Sequence, residues 1–166
     1  MGRLTQSARP SREIDFYAWC LHEASSLRVR RPASVDWDGL AEELEDMGLD
    51  IKRRLTSHLA HALEHLLKLR YEPSSAYRAD QEHRWKVDLA NHRDELNYIL
   101  DNSRTLRNDL PNFIAKAYPR ACRLAGLAMR NLTNWQDVFP RECPWTIKQI
   151  RDDEFFPSPA ESNGHR

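Results

Sequence analysis

One apolar stripe constrains this chain more than any other feature. Leu40, Leu44, Met47, Ile51, Leu55, Leu59, Ala62, Leu66 and Leu69 step by threes and fours. That is the period of a single continuous helix. Asp36 or Asp38 opens it, and it closes near Tyr71, ahead of Pro73, because the residue before a proline is pushed out of the helical region. At about 1.5 Å per residue such a helix is about 50 Å long. It needs partners along its whole length, from its own chain or from a second copy.

The remaining segments read as further helices. Asp15 can cap a first helix that runs to about Arg30, with Phe16, Trp19, Cys20, Ala24 and Leu27 at helical spacing and Pro32 beyond it. Trp85, Leu89, His92, Leu96 and Ile99 follow a 4-3-4-3 rhythm over a third helix, from about Arg78 to Asn102. Ser103 can cap a fourth helix, in which Pro111 and Pro119 each predict a break or a kink. After Asn131 the periodicity stops. Thr146 can cap one short helix through Arg151, and Trp135, Phe139, Trp145, Phe155 and Phe156 predict a tail that folds back on the bundle. The expectation is all-α: four main helices, the second very long, with a short C-terminal helix and a Pro/aromatic-rich tail packed on them. Residues 1–13 read as a flexible leader, 14–157 as a single helical domain and 158–166 as a disordered tail.

Composition removes several function classes. The 25 basic and 25 acidic residues cancel, so a protein built to coat nucleic acid or an anionic membrane is not expected. The five glycines are too scattered to form a phosphate-cradling loop. Cys20, Cys122 and Cys143 are odd in number and widely spaced, unlike a disulfide framework. The polar N-terminus carries no apolar h-region, and no apolar run reaches the length of a membrane span. A reduced, cytoplasmic protein is the expectation.

Three constellations carry possible chemistry. His58, His61 and His65 line one flank of the long helix. His61 and His65 have the i, i+4 spacing that lets two imidazoles reach one metal, and His92 on the third helix is the leading candidate for a third ligand. His58 and His65 stand about 10 Å apart along the axis, so all three do not serve one ion. Glu42, Glu43, Glu45 and Asp46 read as charges favouring a helix start. Glu42, Glu43, His65, Lys68, Trp85 and Arg93 are the candidates for a buried polar network or pocket, with Glu42 or Glu43 as the carboxylate partner of Arg93 and with Arg84 bordering the core. Cys143 lacks an evident base beside it and reads as a packing thiol. The basic pieces at 28–31 and 52–54 read as solvated faces.

Taken together, DFYAW at 15–19, LAEELEDMG at 40–48, EHLLKLRYEP at 64–73, Trp85 followed by Arg93, and FPRECPW at 139–145 with Phe156 and Pro157 resemble the bacterial "domain of unknown function twenty-nine" family. The resemblance covers roughly residues 15–157 and implies an all-helical bundle. It implies no catalytic residue. The expected function is a non-enzymatic interaction or accessory module that self-associates into a homo-oligomer or meets a protein partner, with no cofactor. The alternatives are a divalent-metal-binding bundle protein, such as a hydrolase built on His61 and His65, and a small regulator that binds nucleic acid or a toxin partner.

Overall fold

The computed structural model describes residues 10–29, 36–129 and 135–160. Helices make up 76% of them, and no strand occurs among the described residues. The chain divides into two compact units, one of residues 1–53 and 99–108, the other of 54–98 and 109–166.

In the first unit, α1 spans Phe16–Leu27. Asp15 caps it, accepting a 3.0 Å bond from the Ala18 amide, as its sequence position predicts. The helix ends at Leu27, three residues before the end expected at about Arg30, and Arg28 is its C-cap; Pro32 falls outside the described residues. The long helix, α2, spans Trp37–Tyr71 and gives its first part to this unit. The Asp36 carboxylate receives the Gly39 amide at 2.9 Å and opens it. Gly48 does not interrupt the helix. A Cβ there would lie 3.6 Å from both Cys20 and Tyr17, an ordinary contact distance, so α1 packs against this face of α2. Arg28 donates from its two terminal guanidinium nitrogens to the Glu45 carboxylate.

The third helix, α3, spans Ser75–Asp101, beginning three residues earlier than its apolar rhythm suggests. Ser74 supplies the missing signal by accepting the Tyr77 amide at 3.2 Å. The break expected from Pro111 is present, just ahead of it, while Pro119 causes none. The short α4 spans Arg104–Asn108 and α5 spans Leu110–Ala128. Ser103 caps α4 through the Leu106 amide, and Arg107 donates to the Leu100 and Asp101 carbonyls that α3 leaves open. Pro111 sits at the start of α5, where its missing N–H costs nothing. Pro119 lies inside the unbroken α5. Its face is exposed, as is Ala115 one turn earlier, so the carbonyl that loses its donor lies on the solvent side of the helix.

In the second unit the rest of α2 is the central element. From Leu59 to Leu69 every residue except His61 is buried, the state of a helix surrounded on all sides. The chain after α5 forms α6, Trp135–Val138, and α7, Ile147–Arg151. Thr146 closes a capping box with Gln149 on α7. This stretch packs back as its aromatics predict. Phe139 and Trp145 are buried, and Phe139 meets Tyr71 edge-on at 5.5 Å. Tyr118 donates to the Pro140 carbonyl at 3.0 Å. Arg70 holds both Ser158 and Ala160 through its guanidinium and its own carbonyl. The leader and tail expected at the termini otherwise fall mostly outside the described residues.

Candidate functional site: a histidine cluster beside a buried polar row

The second unit brings the histidines of α2 and α3 together. His92 is the hub. Its ring centroid lies 5.3 Å from His58, 5.2 Å from His61 and 5.8 Å from His65. His58 Nδ1 and His92 Nδ1 face each other at 3.1 Å. Burial lowers the pKa of both His58 and His92. His65 is buried deepest, and burial, assisted by the Lys68 charge, pushes its pKa down to about 4. Its Nδ1 has no hydrogen-bond partner. His58, unpromising from its spacing along α2, makes the closest nitrogen pair of the cluster, because the contact crosses to α3.

Beneath the cluster runs a polar row on one face of α2. His61 Nδ1 lies 2.9 Å from Glu64 Oε2, and Lys68 Nζ donates to Glu64 Oε1 at 3.0 Å. Burial works to raise the Glu64 pKa, but the Lys68 charge and the bonds from His61 and Lys68 outweigh it and hold the carboxyl below its ordinary value. An ionised Glu64 fixes the His61 proton on Nδ1. Lys68 also lies over the Trp85 ring at 5.5 Å. Glu64 is the residue that sequence reasoning missed. The signal was present as His61-x-x-Glu64 and Glu64-x-x-x-Lys68, both in register on one helical face.

The other candidates are placed differently. Arg93 is fully buried, yet neither Glu42 nor Glu43 serves it. It donates to the carbonyls of Ile150, Gln149 and Phe155 at 2.9, 3.1 and 2.9 Å, and its guanidinium lies over Phe156. Backbone carbonyls replaced the expected carboxylate because the returning tail brings three to one place. Glu42 and Glu43 are exposed in the first unit. Arg84 does not border the core, since its side chain is 78% exposed. Glu95, which stands on α3 three residues after His92, pairs with Arg54 at 2.9 Å. Burial raises the thiol pKa values of Cys122 and Cys143, the direction of inert cysteines. Among the described residues, no group of three or more His, Cys, Asp or Glu side chains converges to hold a metal ion as it stands. No helix among them is long and apolar enough to cross a membrane.

These helices define an all-α protein whose histidine cluster and polar row lie on α2 and α3. The chain belongs to the family described as Domain of unknown function DUF29, which matches residues 13–156. It is similar to a solved alpha-helical protein of unknown function from Rhodospirillum rubrum, with a TM-score of 0.62 and 23% identity over 88% of this chain and 92% of that one. That degree of identity shows a shared fold. No curated protein matches the sequence.

Proposed function

We propose that this protein is a non-catalytic interaction module that pairs with a second copy through the first half of α2. The observation that carries this reading is an incompletely covered seam. Leu40 and Met47 are each 47% exposed, and Leu44 and Ile51, which complete a 4-3-4 spacing with them, are only half-buried. A row of large exposed apolar residues on one helix face is the feature that calls for a partner. The adjacent face at Gly48 is already occupied by α1.

The buried polar groups support a non-catalytic role. Glu64 is committed to His61 and Lys68, and Arg93 to backbone carbonyls. Neither is left to move a proton. Sedimentation equilibrium tests the reading. The wild-type chain forms a dimer, and Leu40→Glu with Met47→Glu gives a folded monomer. A wild-type chain that stays monomeric, or a double variant that still dimerises, refutes it.

A further inference from the structure

We infer that His58 and His92 form the two-nitrogen core of a divalent transition-metal site on the α2–α3 face of the second unit, one that takes an imidazole-seeking cation such as Zn2+, Ni2+ or Cu2+. The inference stands independently of self-association.

The first support is distance. Two imidazole nitrogens bound to one such ion at about 2.0–2.1 Å, with an angle of about 90–110° between them, stand about 2.9–3.4 Å apart. His58 Nδ1 and His92 Nδ1 are 3.1 Å apart. They come from different helices, so α2 and α3 hold the pair without ordering a loop. Both rings are partly exposed, which gives an ion a way in.

The second support is the orientation of His61. Its ring stacks on His92 at 5.2 Å and an interplanar angle of 16°. Its Nδ1 faces the Glu64 carboxylate. A carboxylate on one ring nitrogen leaves the other, Nε2, unprotonated and available, as in the outer shell of many metal-bound histidines. His65 stacks on the same hub ring but lies about two turns along α2 from His58, so it is no ligand of the pair.

The pair binds with its protons on Nε2. Water fills the remaining positions, and His61 is the cluster member that can add a third nitrogen. Imidazole donors select zinc, nickel and copper over magnesium and calcium. The residues sequence reasoning named for a metal were His61, His65 and His92, and the geometry shifts the primary pair to His58 and His92.

The test is calorimetric titration of Zn2+ and Ni2+ into the untagged, chelator-treated chain, with Cu2+ electron paramagnetic resonance on the same protein. His58→Gln and His92→Gln each weaken binding by about tenfold or more. His22→Gln and His83→Gln, at exposed positions, leave it unchanged. The copper spectrum shows at least two nitrogen ligands. Failure of the wild-type chain to bind any of the three ions overturns the inference. So does binding that ignores both substitutions, or a copper spectrum with one nitrogen or none. Should one variant fail to fold, the other and the wild-type spectrum decide.

Discussion

Asp15 Oδ1 accepts a hydrogen bond from Ser103 Oγ at 2.8 Å, joining residues 88 positions apart. The same carboxylate accepts the Ala18 amide at the start of α1 and the Thr105 amide at the start of α4, the latter at 2.6 Å. One buried charge therefore serves two helix N-termini, where negative charge is favoured. Asp15→Ala removes a cap and leaves Ser103 and Thr105 short of an acceptor. The expected loss is about 2–3 kcal/mol, read by urea denaturation. Asp15→Asn, which keeps one acceptor oxygen, loses less. Equal stability of Asp15→Ala and wild type would show that this junction contributes nothing.

Glu64 is the only carboxylate bonded to the buried Lys68 among the described side chains. Glu64→Gln strands a buried ammonium, at a cost of about 3–5 kcal/mol. For a chain of this size that lowers Tm by about 10 °C. Adding Lys68→Met to Glu64→Gln recovers much of the loss, because it removes the stranded charge. Thermal melts of the wild type, two single variants and double variant check this. Additive losses would mean the two residues do not act as a pair.

Arg93 pins the returning C-terminal segment. Arg93→Met leaves the carbonyls of Gln149, Ile150 and Phe155 without their donor, a loss of about 2–4 kcal/mol. Hydrogen exchange then accelerates over residues 147–156 well before global unfolding. Arg93→Lys does not rescue it, because an ammonium lacks the planar fork that reaches several carbonyls. Unchanged exchange in that segment would assign its anchoring to the aromatics alone.

His65 sets an acid limit on stability. Its folded pKa of about 4 lies below the ordinary value of 6.5. As pH falls below 6.5 the unfolded chain takes up the proton first, so stability declines from about pH 6.5 and the decline from this residue is complete near pH 4. The effect is at most about 3 kcal/mol. His65→Leu flattens stability over that window when unfolding is measured as a function of pH. A variant that keeps the wild-type slope would place the acid sensitivity elsewhere.

The local chemistry of the chain was legible in its sequence. The stripe from Leu40 to Leu69, the caps at Asp15, Ser103 and Thr146, and the stop before Pro73 all work within a few residues, where spacing and side-chain type decide the outcome. That His61 and His65 share one flank of α2 was legible too, because i, i+4 spacing fixes which rings lie on the same side of a helix. The sequence alone thus determined an all-helical chain with a histidine-bearing long helix. Only the tertiary structure decided what those residues meet. Arg93 found carbonyls instead of Glu42 or Glu43, because which backbone groups converge depends on where the tail returns. His58 found His92 across two helices, because a contact between elements depends on their rotation and offset. Periodicity along one helix carries no information about either.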